Sequence, residues 1–213
     1  RLEAAPPEGL PPGGWIWLHA VSVGELLLAE GLLARLLAAG HRVHLTTGTT
    51  AGMALLGERL PRWDGGAGLL TGGAFPVDDG AGLRPFLASP PALFIALETE
   101  LWPNLLRVLR VRGIPSIVVN GRLTARSRGM FVASAIRDLT LVAARDEASA
   151  KAFARMGASK VALGGNLKAD LPPPPPLHAG WARLREAWAG NPVLVAGNTV
   201  EGEEALVLEA WTS

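Results

Sequence analysis

Three carboxylates stand in segments whose composition suits proton transfer or the gripping of a polar substrate. Glu25 closes the run HAVSVGE, His19 to Glu25, and Glu98 and Glu100 lie two residues apart in ETELWPN, Glu98 to Asn104. A carboxylate within about 3 Å of an attacking hydroxyl can act as its general base. The same group in the first turn of a helix has a plainer use, because negative charge there contributes only about 0.3 to 1 kcal/mol through the macrodipole. Ser22 and Gly24 allow the chain to turn sharply ahead of Glu25, and Ser22 also suits a helix N-cap. In ETELWPN the carboxylates follow an apolar run, so a solvated face does not explain them. Glu98 either meets a substrate or satisfies backbone donors between loops.

Two further segments could hold polar ligands. Thr46 to Gly52, TTGTTAG, offers four hydroxyls and two glycines, suited to a sugar or phosphate held near backbone N–H groups. Asn120 to Gly129, NGRLTARSRG, places Arg122, Arg126 and Arg128 around one turn. The planar donor fork of arginine favours phosphate or carboxylate, although a solvated face has the same composition.

Other chemistries lose their warrant. No G-x-G-x-x-G and no Walker A pattern occurs, and the absence of cysteine removes disulfides, thiolate metal sites and a thiol nucleophile. The four histidines, His19, His41, His44 and His178, form no HExxH pair, so no metal site is expected. His41 and His44 read as residues beside or within a strand. A net charge of +1 lacks the basic excess of a nucleic-acid binder, while 49% hydrophobic and 18% charged residues describe a globular chain. No run reaches the roughly 18 apolar residues that would span a bilayer, so a membrane anchor, if the intact protein has one, is expected outside this chain. The opening RLEAAPPEGLPPGG reads as a trimmed start or as a link from a segment removed.

The elements that must position these loops alternate between short apolar runs and helical patterns, which predicts an α/β fold. Strands are expected near Trp15–Val21, Val43–Thr47, Ala92–Leu97, Ser116–Asn120, Leu139–Ala144 and Lys160–Leu163, with a weaker one at Leu69–Phe75. Helices are expected at Leu26–Ala39, Ala51–Arg59, Trp102–Arg112, Ser127–Asp138 and Glu147–Met156, with a short turn at Leu83–Leu87. Several strands are continuously apolar, as expected when helices cover both faces of a doubly wound parallel sheet. Ligands then bind beyond the carboxyl ends of the strands, where every candidate loop falls. Pro172 to Pro176 read as a polyproline spacer. An amphipathic segment, Leu177–Ala189, follows, and then a strand at Pro192–Gly197 and a helix at Glu201–Trp211. A lone βα unit leaves Leu194, Val195, Leu206 and Leu208 exposed or at an interface.

HAVSVGE, TTGTTAG, ETELWPN, NGRLTARS, GNLKAD (Gly165 to Asp170) and NTVEGEE (Asn198 to Glu204) together resemble, in order and approximate spacing, the 3-deoxy-D-manno-oct-2-ulosonic acid (Kdo) transferases of lipopolysaccharide assembly. The resemblance covers about Trp15 to Trp211. It implies a Rossmann-like domain that forms the N-terminal half of a GT-B fold, with CMP-Kdo as donor, a lipid A precursor as acceptor and no cofactor. Glu25 matches the family's general base. The resemblance further implies acceptor contacts from Ser22, Gly24, Thr47, Thr49, Glu98, Arg122 and Arg126, and donor contacts from Lys168, Asn198, Thr199 and Glu203. By the same resemblance residues 15–168 form the acceptor domain, 169–190 a proline-rich linker and helix, and 191–213 the first βα unit of a donor domain cut short. Such a fragment is expected to be inactive alone, at the cytoplasmic face of the inner membrane. Asn198 and Val200 depart from the family's serine and histidine, and Gly121 from its alanine. Another GT-B nucleotide-sugar transferase and a non-catalytic glycolipid-binding module are the rival readings.

Overall fold

The computed structural model describes residues 9–123, 130–170, 179–197 and 199–212, and the chain divides into two units, 1–171 and 172–213. In the first unit strands and helices alternate: β1 (Ile16–His19), α1 (Val23–Ala38), β2 (Val43–Thr47), α2 (Thr50–Asp64), β3 (Leu70–Ala74), α3 (Gly80–Ala88), β4 (Leu93–Leu97) and α4 (Pro103–Val111). Then come β5 (Ser116–Gly121), α5 (Met130–Asp138), β6 (Leu141–Ala144), α6 (Glu147–Arg155), β7 (Val161–Leu163) and a 3-10 turn at Leu167–Asp170. The seven strands form one parallel sheet in the order β3-β2-β1-β4-β5-β6-β7. This is the doubly wound α/β arrangement expected from the sequence.

Side chains alternate across the sheet, so each strand feeds two cores. Ile16, Leu18, Val43 and Leu45 pack beneath α1 and α2, with Leu26, Leu33 and Leu56. Trp15, Trp17, Phe94 and Val118 face the other way, against residues of α3 to α6 that include Phe86, Leu105, Ile136 and Phe153. Trp17 stacks on Phe86 at 4.9 Å between ring centroids. Its indole N–H donates to Thr46 Oγ1 at 2.8 Å, so the largest buried ring keeps its polar atom satisfied.

Helix starts are set by short polar side chains. Ser22, Thr49, Asp79 and Asp146 are the N-caps of α1, α2, α3 and α6. Gly52 is required at the start of α2, since a Cβ there would lie 2.4 Å from Thr47 Oγ1.

Three expectations need correction. The turn at Leu83–Leu87 is a full helix, because Asp79 accepts from Ala81 and Gly82 N–H and begins it early enough to run past Pro85. Helix α2 does not stop at Arg59 but continues through Pro61 to a left-handed Gly65 (φ 60°) that accepts the role of cap. In the second unit α7 (Ala179–Trp188) and α8 (Glu203–Thr212) form, but Pro192–Gly197 is not a strand. A strand requires a neighbour for its backbone hydrogen bonds, and hydropathy does not supply one. Leu194, Val195, Leu206 and Leu208 are exposed, as expected for an uncovered unit. Ser127, Arg126, Arg128, the proline run, His178 and Asn198 lie outside the described residues.

Candidate active site

Strand order reverses beside β1: the chain proceeds outward through β2 and β3, returns to β4 on the other side of β1, and continues to β7. Such a switch point opens a crevice at the carboxyl edge, between the loops after β1 and β4. Those loops carry the carboxylates. Glu25 follows β1, and Glu98 and Glu100 follow β4.

Glu25 is tied into the start of α1. Ser22 Oγ accepts from Glu25 N–H at 3.4 Å, while Glu25 Oε2 accepts from Val21 N–H at 2.8 Å and Oε1 from Ser22 Oγ at 3.3 Å. This is a capping box shifted by one residue, so the helix-terminus role is real. Burial nevertheless raises the pKa of Glu25, the Val21 N–H opposes the rise, and the charge of Glu98 adds to it. Glu100 is pushed up to about 7, first by burial and then by the charges of Glu25 and Glu98. Glu100 thus feels the charges of both other carboxylates, which places the three in one electrostatic neighbourhood.

Glu98 reaches this crevice through an unusual backbone. Its φ is 54°, and Asn120 at the end of the adjacent β5 has φ 59°, both in the left-handed region. Non-glycine residues there cost about 1 to 3 kcal/mol unless their surroundings hold them. The holding contacts are on hand: Glu98 N–H donates to Val119 O at 2.8 Å, and Thr99 Oγ1 bonds both Arg122 O and Arg122 N–H, the latter at 3.0 Å. Asn120 Oδ1 accepts from Leu167 N–H at 3.2 Å, which brings the GNLKAD turn to the same edge. Among the described residues the Glu98 carboxylate accepts no hydrogen bond, so the alternative in which it satisfies backbone donors has no support.

The other expected residues divide by placement. Ser22, Glu25, Glu98, Arg122 and Lys168 meet at the carboxyl edge, with Arg122 and Lys168 exposed. Gly24 is there too, but it has no left-handed φ. A Cβ at Gly24 would meet only Ser22 Oγ, at 3.9 Å, so its effect is to leave the start of α1 bare, not to make a turn. Thr47 is fully buried and its hydroxyl donates to Val21 O at 2.7 Å; it ties the second loop to the first and cannot face an acceptor. Thr49 Oγ1 is occupied as the cap of α2, accepting from Gly52 N–H at 3.0 Å. Thr199 and Glu203 lie in the second unit, where Thr199 Oγ1 donates to Glu204 at 2.6 Å and Glu203 accepts from Val200 N–H at 3.1 Å.

Sequence reasoning noticed Glu100 but gave it no role, and it passed over Thr99. The E-T-E spacing was the available signal for both. His19, buried beneath Phe75 at 3.9 Å between centroids, is held down to about 3 by burial and is therefore neutral. Among the described residues no group of three or more His, Asp or Glu side chains is arranged to hold a metal ion.

The three carboxylates thus gather at the switch point of a doubly wound sheet, where α/β domains of this class bind their ligands. The chain belongs to the 3-deoxy-D-manno-octulosonic-acid transferase (Kdo transferase) family, whose N-terminal domain model matches residues 1–171. It is 35% identical to the 3-deoxy-D-manno-octulosonic acid transferase of Bordetella pertussis over 92% of this chain and 47% of that protein. It is 31% identical to the protein of the same name in Haemophilus influenzae, over 94% of this chain and 48% of the relative. A bifunctional glycosyltransferase/methyltransferase of Fusobacterium nucleatum is 26% identical over 92% of this chain and 32% of its own length. The chain thus spans about half the length of the first two curated relatives. Among solved structures, the glycotransferase of kitacinnamycin aligns with a TM-score of 0.36 and 22% identity over 51% of this chain and 30% of that one, a likeness too slight to carry an argument.

Proposed function

We propose that this chain is the acceptor-side half of a GT-B transferase that moves Kdo from CMP-Kdo to a lipid A precursor, with Glu25 as general base. Residues 15–168 are the acceptor domain, 169–190 a linker and helix, and 191–213 the opening of the donor domain. The observation that carries this reading is the joining of Glu25 to Glu98 and Glu100 in one electrostatic site at the switch point, in a chain of this family.

The reaction asks little beyond that site. An acceptor hydroxyl attacks the anomeric carbon of Kdo, the C–O bond to CMP breaks, and the hydroxyl proton passes to Glu25. Raised proton affinity improves a carboxylate as a base, provided it is still ionised at working pH. Lys168, exposed beyond β7, supplies positive charge for the departing phosphate. Ser22, Gly24, Glu98 and Arg122 border the acceptor, and Arg126 joins them from NGRLTARS; Thr199, Glu203 and Asn198 serve the donor. A lipid acceptor places the reaction at a membrane surface, the cytoplasmic face of the inner membrane. Among the described residues no helix is long and apolar enough to cross it.

The test is Glu25→Gln in the full-length protein at saturating donor. Glutamine can still close a capping box but cannot take a proton. Turnover is expected to fall roughly 10²- to 10⁴-fold with the melting temperature nearly unchanged. Near-normal turnover would remove Glu25 from the chemistry.

A further inference from the structure

The carboxylate loop after β4 runs directly into α4, and the start of that helix is not capped from within. Trp102 stands at the N-cap position and makes no side-chain cap bond. Pro103, the first helical residue, has no N–H, and Leu106 N–H already donates to Trp102 O at 2.9 Å. The free donors inside the first turn are therefore Asn104 and Leu105 N–H. One residue of the loop between β3 and α3 takes both. Asp78 Oδ2 accepts from Asn104 N–H at 3.1 Å, and its Oδ1 accepts from Leu105 N–H at 2.8 Å. Asn104 returns the bond, its Nδ2 donating to Asp78 O at 2.6 Å. The same loop grips a second point, where Phe75 lies against Trp102 at 4.6 Å between ring centroids. The result is a reciprocal cap like a capping box, built between two loops instead of within one helix.

Glu98 and Glu100 precede this helix start in the chain, and a carboxylate beside a bare helix N-terminus is drawn to its N–H groups. A carboxylate bonded in that way is held ionised and is no longer available to a ligand. Among the described residues, however, neither Glu98 nor Glu100 accepts a hydrogen bond. Glu100 instead stays raised to about 7, by burial first and then by the charges of Glu25 and Glu98. Asp78 has filled the place that these two side chains could take. We propose that Asp78 is a positioning residue of the crevice: by occupying the amino end of α4 from a neighbouring loop, it keeps the Glu98 and Glu100 carboxylates free for a polar ligand. On the transferase reading, on which its effect on turnover rests, that ligand is the acceptor.

The decisive measurement needs no turnover. In the full chain carrying 13C-labelled glutamate, with Glu100→Gln assigning the signal, the Glu100 carboxyl should titrate near 7 in the parent. In Asp78→Ala it should fall below the ordinary 4.5, because the freed N–H groups of α4 capture it. The charges that act on Glu100 are those of Glu25 and Glu98, so such a fall reports capture and not the loss of Asp78's own charge. The control is Asp64→Ala, which strips bonds of 2.8 Å to Gly68, Leu69 and Leu70 N–H at the start of β3, on the opposite sheet edge. It should lower the melting temperature and leave the titration where it was. A Glu100 titration that stays near 7 in Asp78→Ala, that stops at 4.5, or that moves equally in Asp64→Ala overturns the proposal. Should Asp78→Ala fail to fold, Asp78→Asn serves instead: it keeps one acceptor oxygen, so a smaller fall is expected and no fall rejects the role. In the full-length protein at saturating donor, Asp78→Ala should lose roughly 10- to 10²-fold in kcat while Asp64→Ala keeps it. Shifted titration without any transfer activity in the parent would count against the transferase reading alone, whereas unshifted titration removes Asp78 whatever the turnover.

Discussion

At Glu25 one side chain closes a helix and is proposed to take a proton, so substitutions separate the two roles by what they keep. Glu25→Ala loses both and should cost about 1 kcal/mol of stability in addition to turnover, measured by chemical denaturation, whereas Glu25→Gln should lose turnover only. Glu100 makes a different prediction. Its folded pKa of about 7 lies above the ordinary 4.5, so its protonated form favours the fold; that stability is whole below pH about 4.5 and is lost as pH rises through 7. Glu100→Gln, which removes the buried charge, should therefore melt higher than the parent at pH 8, and the two curves should converge by about pH 4. A parent that gains stability from pH 5 to 8 relative to the variant would contradict that burial. These residues were only partly legible beforehand. HAVSVGE and ETELWPN show carboxylates after apolar runs, but sequence distance hides that Glu100 feels the charge of Glu25. Thr47 shows the opposite limit: its type suits a ligand, and only packing shows that it is buried with its hydroxyl bonded to Val21 O.

At the scale of elements, the carboxyl edge is assembled by ties between loops. Asn120 holds a left-handed backbone and receives Leu167 N–H, so it joins β5 to the GNLKAD turn. Asn120→Ala removes that acceptor and puts a Cβ residue without a local partner at φ 59°; a loss of about 1 to 3 kcal/mol in urea denaturation is expected. Asn120→Gly relieves the backbone but not the lost bond, and should fall between parent and alanine. Most strands and helices were legible because continuous apolar runs and cap residues are local signals. Two helices run further than expected, since a helix with a sound start tolerates the missing N–H of Pro61 or Pro85 when packing holds it, and Pro192–Gly197 has strand-like hydropathy but no strand beside it.

For the whole molecule, apolar surface is unevenly disposed. The first unit buries its two cores, whereas in the second Trp181, Leu194, Val195, Leu206, Leu208 and Trp211 are exposed, and a hollow of about 500 Å³ is lined by Trp188, Pro192, Leu194, Leu208 and Trp211. Contiguous apolar surface of this kind binds hydrophobic dyes. The chain should enhance ANS fluorescence in its native state, and Leu194→Ser/Leu208→Ser should remove at least half of the signal without changing the far-UV spectrum of the sheet.

The position of β1 inside the sheet, between β2 and β4, has a consequence in time. Ile16 pairs with Val43 on one side and with Leu93 on the other, partners 27 and 77 residues later in the chain. Parallel pairing over such separations is slow, because the loop must close before any contact rewards it. During synthesis at about 5 to 20 residues per second, β1 therefore waits roughly 4 to 15 s for its second neighbour to be made. Until then Trp15 and Trp17 lack Phe94, and a nascent chain arrested short of Leu93 is the form of this protein that chaperones are expected to hold and that aggregates when they do not.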